Sequence, residues 1–583
     1  MALENAQLVR GGSFMFHAAG SLPQFTPEEN SEDALAISEA ARDFVNGEVL
    51  PRDEQIDHLD LELTRDLLAK AGDLGILGME VPEAYGGLDL DKKTALLVLE
   101  EMAKQASFST SYTAHTSIGT MPIVYFGNHE QKAKYLPKLA SGEWCAAYAL
   151  TEAGSGSDAL GAKTTAVLQD GHWVLNGTKA WITNAGFADV FVIFAKINGS
   201  HLSAFIVEKT DPGISTGAEE KKMGIKGSST RTVILDNCRI PEDRLLGGKG
   251  KGARIALGIL NVGRFKLGAS SVGAGKRVLE YTLKYAQERT QFGKPLNAFG
   301  LIQQKLANMA VRIFVGESMS FRTIGYLDEA LALTSWESET GGADKMKAVD
   351  EYAMEASMSK VWGSEALFAT ADDAVQAFGG AGFSAEYPAE KIYRDCRINR
   401  IFEGTNEINR LLIAQTFLKR CSGIDGLPLA GSGGAPVDLP QDNLLRTVAL
   451  AKARALKVIA QAQADHGPKI LENQEAAARI SNMLLEIYAT ESAVVRAQKM
   501  ADAGHRWASL ARDMAEVYAQ EAWNRVQGEA RMLAAELASG EALDALVAEL
   551  LVMHAPAPVA LSSLRQRIAQ ALVDQGRYPI AAV

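Results

Sequence analysis

The stretch Tyr148-Ala-Leu-Thr-Glu-Ala-Gly-Ser-Gly-Ser-Asp158 stands where the chain changes its period. Its small residues and hydroxyls suit a loop whose backbone N–H groups come close to an anionic or carbonyl-rich ligand. Downstream, β-rich runs such as Val190-Phe-Val-Ile-Phe194 and Ala204-Phe-Ile-Val207 alternate with Asp170-Gly171, Asn176-Gly177 and Asn198-Gly199. Such dipeptides favour the left-handed conformations of tight hairpins. We therefore expect an all-β, barrel-like domain over residues 145–248. Upstream, Ala34, Ile37, Ala41, Phe44 and Val45, then Leu67, Leu68, Ala71 and Leu74, recur at three- and four-residue spacing, which predicts a helical domain over 26–144. Thr26-Pro27-Glu28-Glu29 writes its start as a capping box with Pro at the first helical position. Beyond the β domain, helical segments near 252–290, 300–334, 345–378 and 405–420 predict a four-helix bundle over 249–420. Gly263, Gly268 and Gly273 inside the first of these cost helix propensity, and close packing or ligand approach would compensate. A linker rich in Gly, Pro and Ser at 421–441 leads into an Ala-rich helical domain over 442–583. The fold class read this way is α+β: helical domain, β domain, four-helix bundle and appended helical domain.

Composition narrows the function. Among 583 residues, 47% hydrophobic and 22% charged, the formal charge is −12. That is a globular chain without the basic footprint of a nucleic-acid binder. Cys145, Cys238, Cys396 and Cys421 are widely spaced and match no metal-ligand pattern, so reduced thiols and no metal site are expected. No secretory or transit signal and no bilayer-length apolar run is evident, which leads us to expect a cytoplasmic protein. Residues 444–459 form a basic amphipathic stretch that either packs on its own bundle or touches the periphery of an anionic membrane.

Four more stretches carry chemistry. Lys179-Ala-Trp-Ile-Thr-Asn184 puts a Trp in a strand, Glu288-Arg-Thr-Gln-Phe-Gly-Lys294 closes the first bundle helix, and Gln376-Ala-Phe-Gly-Gly-Ala-Gly-Phe383 closes the third. Arg400-Ile-Phe-Glu-Gly-Thr-Asn-Glu-Ile-Asn-Arg410 places Glu403-Gly404 just before Thr405, a natural N-cap. Each alone also reads blandly: a Gly/Ser turn, a core Trp, a cation at a helix C-terminus, a glycine stop, a carboxylate at a helix N-terminus.

In this order and spacing, the five stretches resemble the acyl-CoA dehydrogenase family over about residues 30–420. Arg289-Thr-Gln-Phe292, Asn297-Ala-Phe-Gly-Leu-Ile-Gln303 and the appended domain are most similar to its very-long-chain branch and to a relative that serves respiratory complex I assembly. The resemblance implies FAD and the α,β-dehydrogenation of a long-chain acyl-CoA to trans-2-enoyl-CoA in fatty acid β-oxidation. In that reaction Glu403 would take the α-proton while a hydride passes to flavin N5. It also implies a homodimer and electron-transfer flavoprotein as oxidant. An assembly or scaffold factor keeping the fold, and an acyl-CoA oxidase, remain as alternatives. Thioester α-protons are weakly acidic, so the base must be tuned by desolvation, and Ile401 and Phe402 give Glu403 apolar neighbours. Some relatives carry the base just before an Arg matching Arg264, and Gly263 stands there in this chain.

By the same resemblance, Tyr148, Leu150, Thr151, Gly156, Ser157, Trp181 and Thr183 would surround the flavin ring. Arg289, Phe292, Gln376, Gly379 and Gly380 would reach FAD from the partner subunit, and Thr405 and Glu407 would lie near the pyrophosphate. Ser157, Asn261, Arg264 and Gly404 would meet the acyl-CoA, with Thr110 and Ala114 at the floor of its pocket. The chain departs from common family wording at Ala153, where Pro is frequent, and at Phe299-Gly300.

Overall fold

The computed structural model describes residues 8–337, 341–422, 426–429, 434, 439–552 and 556–580, and the change of period near residue 145 is a change of secondary structure. Before it lie α1 (Glu32–Phe44), α2 (Leu61–Asp73), α3 (Lys92–Met102), α4 (Ala106–Thr113) and α5 (His129–Ala140). Their buried faces follow the spacing: Ala34, Ala41, Phe44, Leu67, Leu68 and Ala71 are in the core, while Leu74, past the end of α2, is exposed. The capping box of Thr26 and Glu29 forms, but it caps only the single 3-10 turn Pro27–Glu29. Asn30 leaves that turn extended, and α1 starts afresh with Ser31 as its N-cap, Oγ accepting from the Ala34 N–H at 3.2 Å.

The β domain holds β1 (Ala146–Ala149), β2 (Thr165–Gln169), β3 (His172–Thr183), β4 (Val190–Ile197), β5 (His201–Glu208), β6 (Ile214–Glu219), β7 (Thr230–Pro241) and β8 (Leu245–Leu246). Their order across the sheet is β6-β7-β3-β2-β4-β5-β8, with β1 parallel to β4. Barrel-like closure does not occur. The end strands β6 and β8 do not pair with each other among the described residues, and β8 is only two residues long, too short to offer a closing edge. A second expectation also fails. Asp170-Gly171 and Asn198-Gly199 make the β2–β3 and β4–β5 turns, but Asn176-Gly177 lies inside β3, opposite a bulge of β7 at Asp236-Asn237. Gly177 is needed there because a Cβ would come within 2.5 Å of Thr164 Oγ1.

The bundle is α6 (Gly252–Glu288), α7 (Gly300–Ala332), α8 (Ala353–Phe378) and α10 (Asn406–Cys421), with the shorter α9 (Pro388–Cys396) leading into the last. The segment expected at 345–378 is two helices, because the chain breaks at Tyr352 (φ −105°, ψ 22°) between Gly341–Glu351 and α8. Among the described residues, five α-helices follow: α11 (Asn443–His466), α12 (Gln474–Asp502), α13 (Ala508–Leu537), α14 (Gly540–Val552) and α15 (Leu561–Gln575). They share one apolar core with the bundle, in which Met358 and Phe417 belong to the same cluster as Tyr488 and Trp523. Of the linker expected at 421–441, residues 423–425, 430–433 and 435–438 lie outside the described residues.

The basic amphipathic stretch is the middle of α11, packed inside this core. Lys452 is 4% exposed and pairs with Glu491 at 2.5 Å, and Arg454 is 2% exposed with its guanidinium 4.4 Å from the Trp523 ring. A membrane face built on these cations is therefore not available. Among the described residues, no helix is long and apolar enough to cross a membrane.

Candidate active site

Glu403 sits in the loop between a 3-10 turn (Arg397–Arg400) and α10, whose N-cap Thr405 accepts from the Ile408 N–H at 3.3 Å. Its φ is +58°, followed by +81° at Gly404. The left-handed region costs a non-glycine residue about 1–2 kcal/mol, so the surroundings must hold it. They do: Arg264 Nε donates to the Glu403 carbonyl at 3.1 Å, and Asn409 Nδ2 donates to the carbonyls of Gly404 (2.7 Å) and Thr405 (3.0 Å). The Glu403 carboxyl is thereby turned onto α6 at Gly263. A Cβ on residue 263 would lie 2.6 Å from Glu403 Oε2, so any larger residue there would force the carboxyl to move.

Glu403 Oε2 is buried without a hydrogen-bond partner. Burial pushes its pKa up to about 7, opposed by the Arg264 and Lys360 charges. Across from it, the Tyr148 hydroxyl is also buried and unpartnered. Burial and the Glu403 charge hold that phenol well above its ordinary range. The Glu403 carboxyl, raised by burial, thus faces the Tyr148 phenol of β1.

The β domain supplies the adjoining wall. The Ala180 N–H donates to the Thr151 carbonyl at 2.9 Å, which joins the loop after β1 to the end of β3. There β3 itself bulges between Lys179 and Ile182, leaving Trp181 at φ +61° and 58% exposed. A bulky residue in that conformation is strained, and strain of this kind clusters at ligand sites. Leu150 is buried, Thr151 and Thr183 are half-buried, and Gly156 and Ser157 crest an exposed loop. Glu152 pins the base of that loop by accepting from Lys179 Nζ (2.7 Å), Thr164 Oγ1 (2.6 Å) and the Lys163 N–H (2.7 Å). Ala153 in place of a proline therefore does not leave the loop untethered.

The remaining expected residues fall into two groups. Gly404, Thr405, Glu407, Asn261 and Arg264 gather around Glu403, with Arg264 donating to Asn261 Oδ1 at 2.8 Å. Arg289, Phe292, Gln376, Gly379 and Gly380 do not. They are exposed at the far end of the bundle, where Tyr285 stacks on Phe378 at 4.1 Å. Lys360 contacts Gly404, and Gln376 is 16 residues further along α8, about 24 Å away at about 1.5 Å per residue. Phe292 (φ +51°, 93% exposed) joins Trp181 and Glu403 as a site residue held left-handed.

A cavity begins at Phe402, next to Glu403, and follows one face of α6 through Leu267, Ser270, Ala274, Arg277 and Tyr281. Thr110 of α4 lies in its wall as expected, whereas Ala114 is buried outside it. Sequence reading passed over Lys360 and Asn406, which hold the Glu403 loop from beneath. A cation among Met358, Val361 and Trp362 of an apolar helix was the available signal.

Models of the acyl-CoA dehydrogenase N-terminal, middle and C-terminal domains match residues 31–143, 147–238 and 250–418, and a further acyl-CoA dehydrogenase C-terminal domain model matches 450–551. A probable acyl-CoA dehydrogenase of Bacillus subtilis is 43% identical over 601 residues, covering 100% of both chains. The chain belongs to the acyl-CoA dehydrogenase family. It is an FAD-dependent oxidoreductase of that family, similar to an acyl-CoA dehydrogenase from Bacillus anthracis solved in complex with FAD (43% identity, TM-score 0.94, covering 98% of this chain and 100% of that one). The human mitochondrial very-long-chain specific enzyme is 36% identical over 498 residues, 78% of this chain and 73% of its own.

The residues present fit the family's flavin. Trp181 offers an exposed aromatic face, Thr151 and Thr183 are half-buried hydroxyl residues of the same wall, and Tyr148 and Glu403, close to each other, carry buried oxygens without partners. Exposed Phe292, Gly379 and Gly380, with no atom near the glycine Cβ positions, suit a surface completed by another body.

Proposed function

We propose that this chain dehydrogenates long-chain acyl-CoA thioesters between the α and β carbons, with Glu403 as the base that removes the α-proton. The observation that carries this is the Glu403 carboxyl itself, seated over Gly263 with an unpartnered buried oxygen and raised to about 7. Tyr148, Leu150, Thr151, Gly156, Ser157, Trp181, Thr183, Thr405 and Glu407 would hold the near part of FAD. Arg289, Phe292, Gln376, Gly379 and Gly380 of a second copy would hold the rest, because in one chain they lie too far from Glu403. FAD, when bound, accepts the two electrons and the β-hydrogen, and electron-transfer flavoprotein is the oxidant proposed to take them on. The Glu403 carboxylate accepts the α-proton, Arg264 and Asn409 keep its loop in place, and Trp181 and Tyr148 exclude water.

The reading of a long acyl chain is supported by the cavity along α6. From Leu267 to Tyr281 the cavity wall rises about 21 Å at about 1.5 Å per residue. At about 1.3 Å per carbon, set by C–C bonds of about 1.5 Å, that length seats about sixteen carbons. Anaerobic titration with palmitoyl-CoA should bleach the flavin band, and octanoyl-CoA should do so with lower affinity. Failure of every acyl-CoA, short or long, to bleach it would remove this reading.

Two substitutions refine it. Ala274→Phe, half-way along the wall, is expected to move the optimum in a chain-length series below about ten carbons, since it leaves about 10 Å of wall from Leu267. Gly263→Ala, whose methyl would meet the Glu403 carboxyl, is expected to lower kcat/KM at least about ten-fold while thermal denaturation changes little. Alanine improves helix propensity by about 1 kcal/mol, so a fall in melting temperature as large as the fall in activity would contradict the local account.

A further inference from the structure

Lys360 has no exposed surface inside α8. Its Nζ donates to the Gly404 carbonyl at 2.8 Å and to Asn406 Oδ1 at 2.7 Å. The amide of Asn406 is fixed in turn, because Nδ2 donates to Glu365 Oε1 at 3.0 Å and to Ser364 Oγ at 3.1 Å. Glu365 receives two bonds from the Arg410 guanidinium, at 2.8 and 2.9 Å. The path then leaves the bundle: Arg410 Nε donates to Asn482 Oδ1 of α12 at 2.8 Å, and Asn482 Nδ2 donates to Glu529 of α13 at 2.8 Å. Each member has a polar partner on both sides. Reversing any one amide or freeing any one carboxylate would leave the next group without its bond.

We propose that Lys360 is the positioning residue that holds the Glu403 loop and keeps a cation beside its carboxyl, and that Asn482 of the appended domain positions Lys360 through Arg410, Glu365 and Asn406. The proposal rests on the reading of Glu403 as the base. The charged and titratable groups facing Glu403 are Arg264 from α6, Lys360 from α8 and the Tyr148 phenol from β1. Those facing Lys360 are Glu403, Arg264, Glu365 and Glu407. Burial pushes the Lys360 ammonium down to about 7, with the Arg264 charge adding to the fall and the Glu403, Glu365 and Glu407 carboxylates opposing it.

Lys360→Met removes the cation and the bond to Gly404. Glu403 should then titrate at higher pH, and the acid limb of kcat/KM should move up by about one unit, a fall of about ten-fold at any pH below both midpoints. Asn482→Ala should move the limb in the same direction by less, lowering kcat/KM a few-fold at pH 6 with FAD content and melting temperature unchanged. The carboxyl itself can be followed by infrared difference titration against Glu403→Gln in the same backgrounds. An unchanged Glu403 midpoint in both variants overturns the proposal, and a shift in Lys360→Met alone overturns the role of Asn482. If Lys360→Met does not fold, Asn482→Ala decides, because Asn482 borders an open cleft between the bundle and α12–α13. Turnover retained by Glu403→Gln would instead remove the base reading, which the infrared midpoints report on separately.

Discussion

Glu403→Gln is expected to lower turnover of palmitoyl-CoA by about 10²–10⁴-fold, the usual contribution of a positioned general base, while the chain still folds and binds the thioester. Glutamine has the shape of glutamate and fits over Gly263, but an amide cannot take the α-proton. The variant should therefore bind palmitoyl-CoA anaerobically without bleaching the flavin. In the unaltered enzyme the acid limb carries the same information. Glu403 is raised to about 7 by burial, and only its ionised form accepts a proton, so kcat/KM should climb with pH through about 7 and level off above. A rate within about ten-fold of the unaltered enzyme in Glu403→Gln, or a limb that stays near the ordinary carboxylate range, would place the base elsewhere.

The second large effect concerns stability. The Arg496 side chain is fully buried, pairs with Glu28 at 2.6 Å and Glu317 at 2.8 Å, and lies 4.6 Å from the Phe314 ring. Glu317 also binds Lys276 at 2.5 Å, and Lys276 reaches Glu100 at 2.6 Å. The cluster therefore joins α3, α6, α7, α12 and the turn at Glu28. Arg496→Leu would leave the buried Glu317 and the half-buried Glu28 carboxylates short of a cation, and breaking a buried pair from one side costs about 3–5 kcal/mol. We expect a marked fall in the midpoint of denaturant unfolding at pH 7. The deficit should narrow in acid. Burial opposes ionisation of Glu28, but Arg496 outweighs it and holds the carboxyl below its ordinary value. Its contribution is thus present above the usual carboxylate pKa and lost as pH falls through the lowered one. A deficit that is constant from pH 7 to pH 4 would show that packing, not charge, is what Arg496 supplies.

Much of this was legible in the residues. The bundle segments read at 252–290, 300–334 and 405–420 fall within two residues of α6, α7 and α10, because long amphipathic periods leave few alternative registers. Short signals did less well. Thr26-Pro27-Glu28-Glu29 makes a perfect local cap on a turn that goes nowhere, and Asn176-Gly177 has the wording of a hairpin but runs on inside β3, close against Thr164. At Gly177 a neighbour outside the local stretch, Thr164, chose among conformations that the local residues allow equally. Barrel-like closure failed for a related reason, since alternation shows which faces are buried and says nothing of which edges meet.

By itself, the sequence determined the order of helical and β segments, the motifs shared with acyl-CoA dehydrogenases, and the candidacy of Glu403, because these depend on residue type and spacing along one chain. Tertiary structure alone decided that the Glu403 carboxyl lies against Gly263, how Lys360 comes to lie under the Glu403 loop, and that Lys452 and Arg454 face a core. Those facts depend on atoms from 39 to 140 residues apart in the chain (Lys452–Glu491 to Gly263–Glu403) meeting at 2.5–3 Å, and at that range burial and hydrogen-bond geometry, rather than local propensity, set both conformation and charge.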